Sequence, residues 1–165
     1  MTIRQARELD LDALAGLLRA CIAGMQGEGI DQWDDAYPTV GIVADDVKDG
    51  TLIVAERAGD VIGAVTLNAH QEPAYREVAW RLADGPIGVV HRLMIAPTAK
   101  RQGVGRALMA AVEVRAGGQG LRALRLDTFT GNAPALALYR ALGYAEVGTV
   151  RFRKGLFPCF EKSLL

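Results

Sequence analysis

The sequence predicts an α/β protein: one mixed β-sheet flanked by helices. Three observations predict it. Residues 87–128 read as strand, helix, strand, a unit that pairs its strands in parallel through a right-handed crossover. Residues 51–57 and 61–67 are β-rich runs separated by Ala58-Gly59-Asp60, the signal of an antiparallel hairpin. Elsewhere the apolar residues recur at the 3.6-residue period of helices that bury one face.

In chain order, residues 2–6 form a short first strand. From Asp10, the expected N-cap, Leu11, Leu14, Leu17, Leu18, Cys21 and Ile22 trace the apolar stripe of a helix ending near Gly24. Residues 25–38 mix Gly, Asp and aromatics without a period, and read as a functional loop or a broken helix. Thr39 caps a second short helix that closes at Gly50. After the hairpin, the polar and aromatic residues 71–85 read as a loop or a helical insertion. Residues 86–95 form a mostly apolar strand. The next helix runs from about Gly103-Val104-Gly105 to Ala116, with Ala107, Leu108, Ala111, Val112 and Arg115 in period, and Gly117-Gly118-Gln119-Gly120 stops it. A strand follows at residues 123–128. Asn132 caps a helix with Pro134 in its first turn, which runs to Leu142 and ends at Gly143. Residues 146–153 and 157–163 are the last two strands. The expected order is β-α-α-β-β-β-α-β-α-β-β in a single domain, 1–165.

Composition narrows the function classes. Nineteen basic side chains balance nineteen acidic ones in 165 residues, so no global field attracts nucleic acid. Cys21 and Cys159, and His70 and His91, lack metal-ligand spacing, so no metal is expected. The cysteines read as reduced thiols. The first residues hold no apolar signal segment and no run approaches a membrane span, so a cytoplasmic protein without a membrane partner is expected.

The strongest chemical signal lies at residues 97–108, where a proline turn and basic residues lead through Gly103-Val104-Gly105 into a helix. The first turn of a helix leaves N–H groups unpaired and carries partial positive charge. Glycines let a phosphate or pyrophosphate approach the main chain, and Lys100, Arg101 and Arg106 add charge at the rim. Arg106-Ala107 after Gly105 excludes a P-loop, and Leu108 breaks a dinucleotide fingerprint. Gly118 to Ala123 matches that fingerprint in form but follows a helix and precedes a strand, so it reads as a helix stop.

These residues resemble a known family. Leu93-Met94-Ile95-Ala96-Pro97 followed by Lys100-Arg101-Gln102-Gly103-Val104-Gly105-Arg106 resembles motif A of the GCN5-related N-acetyltransferases, the GNAT family, with pattern Gln/Arg-x-x-Gly-x-Gly/Ala. Lys100 departs from the first position but keeps its charge. Residues 132–144, with Asn132, Tyr139 and Leu142-Gly143-Tyr144, resemble motif B. The resemblance implies acetyl-CoA as co-substrate, with its pyrophosphate on the amides of residues 102–106: Gln102, Gly103, Val104, Gly105 and Arg106. It implies pairing of the pantetheine arm with the main chain of Leu93, Met94 and Ile95, a cofactor-side position for Asn132 and Tyr139, and Tyr139 as general acid.

Transfer to an amine needs a deprotonated nucleophile, a polarised thioester and a proton for the leaving thiolate. His91 stands where many members carry a Glu base, and strand alternation puts it on the face of Val89, Leu93 and Ile95, with Arg92 opposite. Glu28, Asp31 and Glu72 are rival bases or acceptor binders. The resemblance places the acceptor against residues 27–38 and 70–85. Glu28, Asp31, Trp33, Glu72 and Tyr75 there suit a small cationic amine. A non-catalytic acyl-CoA sensor of the same fold, a protein or peptide N-acetyltransferase and an unrelated nucleotide-binding domain are the alternatives. Oligomeric state, monomer or homodimer, stays open.

Overall fold

The computed structural model describes all 165 residues. Its elements are β1 (Thr2–Gln5), α1 (Leu11–Gly27), α2 (Val40–Lys48), β2 (Leu52–Arg57), β3 (Asp60–Asn68), β4 (Ile87–Ile95), α3 (Val104–Gly118), β5 (Ala123–Asp127), α4 (Ala133–Ala141), β6 (Ala145–Phe152) and β7 (Gly155–Ser163). The order is the expected one. The seven strands are arranged β1-β2-β3-β4-β5-β7-β6. The chain forms two compact units, residues 1–67 with 91–112 and residues 68–90 with 113–165, and β4 gives one half to each.

In the first unit β2 pairs antiparallel with both β1 and β3. Leu14, Leu17, Leu18 and Cys21 of α1 are buried with Val43, Leu52, Val54, Ala64 and Met94. Each fully buried Leu contributes roughly 1.5–3 kcal/mol, so this stripe holds α1 in place. The helix runs one turn past the expected Gly24, because the apolar stripe continues through Met25, which packs on the same core. Asp10 differs from expectation too. Its backbone is already helical and its side chain caps nothing in α1. It accepts instead from the Arg7 amide at 2.7 Å and from Arg4 at 2.8 Å, while Arg4 also bridges to Glu56. Arg4 holds the Asp10 carboxyl down at about 2. Thr39 caps α2 as expected, accepting from the Ile42 amide at 3.2 Å.

In the second unit β4 and β5 pair in parallel over three residue pairs, Ile87↔Ala123 to Val89↔Arg125, and β7 pairs antiparallel with β5 and β6. Gly117 and Gly118 remain helical. The stop is at Gly120, whose positive φ of 73° reverses the chain, so only that glycine of the expected cluster ends α3. Residues 71–85 contain one short 3-10 turn, Pro73–Glu77. They are fastened by a buried pair, Arg125 and Glu161. Glu161 accepts from the amides of Arg81 and Leu82, and Arg125 donates to the Leu82 carbonyl and to Gln71. The Arg125 guanidinium also lies 4.3 Å from the Trp80 ring centroid.

Candidate active site

The first unit carries the turn expected to cradle an anion. Pro97–Ala99 forms a 3-10 turn, Arg101 and Gly103 adopt left-handed φ of 62° and 79°, and α3 begins at Val104. A Cβ built on Gly103 meets nothing within 4 Å, so the space over that residue is open to a ligand. Arg101, Gln102 and Arg106 are exposed, whereas Val104 and Gly105 are buried. Gln102 is occupied within the loop, donating to the Thr98 carbonyl at 3.0 Å and accepting from Arg57 at 2.6 Å. Arg57, at the end of β2, is a cation the sequence reading missed, because the contact joins residues 45 apart. An exposed glycine turn at a helix start, rimmed by exposed cations, fits a pyrophosphate. Lys100 points to Glu28 across a 2.9 Å exposed ion pair, so two expected site residues meet each other.

Leu93 and Ile95 are half-buried, and Met94 is in the core. Beside them the expected alternation of β4 breaks. Arg92 has φ of 52°, which interrupts the pleat one residue after His91. The face assignment that grouped His91 with Leu93 and Ile95 therefore does not carry through. The physical reason is the guanidinium of Arg92, which reaches Asp46 at 2.6 Å and the Tyr37 hydroxyl at 3.0 Å, while Thr66 also donates to Asp46. His91 itself is half-buried. Trp33, expected among the residues that suit a cationic acceptor, is packed in the core with Leu17 and Leu18, which leaves its ring little surface for a ligand. Asp31 is exposed.

The second unit carries Tyr139 and Asn132. Asn132 caps α4, accepting from the Ala135 amide at 3.2 Å. Tyr139 is buried between the rings of Tyr144 and Phe160. Burial, then the charge of Asp127, pushes its phenol above the ordinary tyrosine range, so it holds its proton at neutral pH. Tyr75 is buried as well, and its hydroxyl donates to Asp127 at 2.5 Å. Glu72 and Tyr75 line an open depression of about 520 Å³ with Trp80 and Arg125. Burial pushes Cys21 up to about 11 and Cys159 up to about 12, which leaves both as inert thiols. No helix is long and apolar enough to cross a membrane.

The fold is that of an α/β protein whose third helix opens on an exposed glycine turn. The family model described as the acetyltransferase (GNAT) family matches residues 18–144, and the chain belongs to that family. It is 34% identical over 97 residues to the IAA acetyltransferase of Azospirillum brasilense, covering 59% of this chain and 56% of that protein. It is 33% identical over 113 residues to the aminoglycoside N(6')-acetyltransferase type 1 of Klebsiella aerogenes, covering 68% and 66%. The chain thus spans between about half and two thirds of the length of these curated relatives. The GNAT-family acetyltransferase structure from Streptococcus agalactiae superposes with a TM-score of 0.86 at 22% identity, over 98% of this chain and 94% of that one. This last likeness carries the fold.

Proposed function

We propose that the protein transfers the acetyl group of acetyl-CoA to a primary amine of a small molecule. The observation that carries the reading is the open Gly103 turn at the start of α3, whose basic rim suits a pyrophosphate, in a chain of the acetyltransferase family. The amides of residues 102–106 hold the pyrophosphate, with Arg57, Arg101 and Arg106 neutralising it. The main chain of residues 93–95 pairs with the pantetheine arm, and an N–H there polarises the thioester carbonyl. The amine forms the new C–N bond, the C–S bond breaks with its electron pair on sulfur, and Tyr139 supplies the thiol proton. Glu28, Asp31 and Glu72 offer carboxylates to a cationic acceptor. Relatives named for an aminoglycoside and for mycothiol support a small acceptor.

The test is CoASH release from acetyl-CoA across amines, amino acids, polyamines, aminoglycosides and peptides. Turnover confined to one class of small amine is the expected result. Turnover of peptides alone would move the acceptor to proteins, and binding without any turnover would make the protein a sensor.

A further inference from the structure

We propose that Asp127 and Tyr75 form the proton-accepting pair of the reaction: Asp127 takes a proton from the incoming ammonium, and Tyr75 fixes the carboxylate that does so. The inference rests on the acetyl-transfer reading above.

Asp127 is the last residue of β5, at the carboxyl end of a strand in a parallel pair, where open α/β sheets gather their ligand chemistry. It keeps part of its surface open. Its carboxylate accepts from the Tyr75 hydroxyl and pairs with no cation. Arg125, two residues back along β5, is engaged by Glu161, Gln71 and the Leu82 carbonyl. The other groups that act on Asp127 are Glu72, an acid, and the neutral Tyr75, Tyr139 and Cys159. A partly open carboxylate with acidic and neutral neighbours lacks a counter-ion, and a substrate ammonium supplies one.

Tyr75 is well held for a positioning role. Its carbonyl accepts from the Trp80 indole at 2.8 Å, their ring centroids lie 5.0 Å apart, and Trp80 packs against the Arg125 guanidinium. The segment that carries Tyr75 is therefore fastened to β5, the strand that carries Asp127.

The electrostatics agree with the geometry. Burial pushes the Asp127 carboxyl up to about 6, against the pull of the Tyr75 hydrogen bond, and Glu72 adds to the rise. A carboxyl poised near neutral pH is a better proton acceptor than an ordinary one. The charge of Asp127 is also one of the causes that keep Tyr139 from ionising. Once Asp127 has taken a proton that charge is gone, and Tyr139 becomes a stronger acid for the departing thiolate.

The protons balance. The ammonium gives one to Asp127, and the freed electron pair of the amine forms the C–N bond. Sulfur leaves with the C–S pair and takes the proton of Tyr139. The second proton lost from nitrogen restores Tyr139, and Asp127 passes its own to water.

The experiment is kcat/KM against pH with the best acceptor for the native protein, Asp127→Asn, Tyr75→Phe and His91→Ala, beside calorimetric acetyl-CoA affinity. The native profile should fall on its acid side with a midpoint near 6, as the carboxyl value requires. Asp127→Asn should lose about 100-fold or more in kcat with acetyl-CoA affinity unchanged. Tyr75→Phe should move the acid limb to higher pH, because the lost hydrogen bond favoured the carboxylate. His91→Ala should keep the limb. Thermal melts add a readout apart from turnover. The folded value of Asp127 lies above its ordinary 3.8, so its ionisation weakens the fold as pH rises from about 4 through about 6. Asp127→Asn should therefore melt higher than the native protein at pH 8 and not at pH 4. An active Asp127→Asn with its limb intact, or loss of the limb in His91→Ala alone, overturns this proposal and leaves the acetyl-transfer reading standing. A native protein that does not bind acetyl-CoA overturns both.

Discussion

Helices α3 and α4 begin in opposite ways. At α4 the first turn is closed from within: Asn132 accepts from the Ala135 amide, and Pro134 has no N–H to satisfy. At α3 the preceding residue is Gly103, which has no side chain to offer, and the neighbouring Gln102 is spent on the Thr98 carbonyl and Arg57. Both starts carry the same partial positive charge. One is met by a side chain of its own chain, and the other opens on a glycine with no side chain to offer. The proposed ligand site is thus the helix start from which the sequence withholds a capping side chain.

The largest effect should come from filling the open start. Gly103→Asp sets a carboxylate where an anion belongs and forces a left-handed φ on a residue with a Cβ, at a cost of about 1–2 kcal/mol. Acetyl-CoA affinity by calorimetry should fall about 100-fold or more, since an anion then repels an anion where amides attracted one. An affinity within threefold of native would show that the cradle is not the site. Next in size is Tyr139→Phe, which should lower kcat by about tenfold or more with acetyl-CoA affinity unchanged. An unchanged kcat would remove Tyr139 from the chemistry.

The closed start should respond in stability. Asn132→Ala removes a cap worth about 1 kcal/mol, so the protein should melt a few degrees lower. A melt equal to native would mean that the cap adds nothing. The smallest effect should be that of Lys100→Gln, because the Lys100–Glu28 pair is exposed and such pairs contribute about 0–1 kcal/mol. Stability should hold, with acetyl-CoA affinity reduced at most about fivefold by the lost positive charge. A loss as large as that of Gly103→Asp would move the centre of the site from the amides to this lysine.

The sequence revealed the element order because the signals that set it are local. Helical spacing, the Thr39 and Asn132 caps and the hairpin turn each act within a few residues. The glycine turn into α3 was legible for the same reason, since Arg101, Gly103 and the start of α3 lie side by side. What escaped depends on contacts between distant segments. Arg57 reaches the loop through Gln102, Arg92 leaves the strand pleat to meet Asp46 and Tyr37, and Tyr75 finds Asp127. Trp33 stands among the acidic and aromatic residues of its loop, and only tertiary packing sends it into the core. Asp10 shows the same limit at short range. It stands where a cap belongs, but the nearby Arg4 is a stronger partner.

The central claim is that the α3 start holds the pyrophosphate of acetyl-CoA. Its most direct test is calorimetric titration of the native protein with acetyl-CoA, followed by competition with CoA, ATP and NAD. The account predicts saturable binding that CoA displaces and that ATP and NAD leave untouched. Absence of acetyl-CoA binding, or displacement by ATP or NAD, would contradict it.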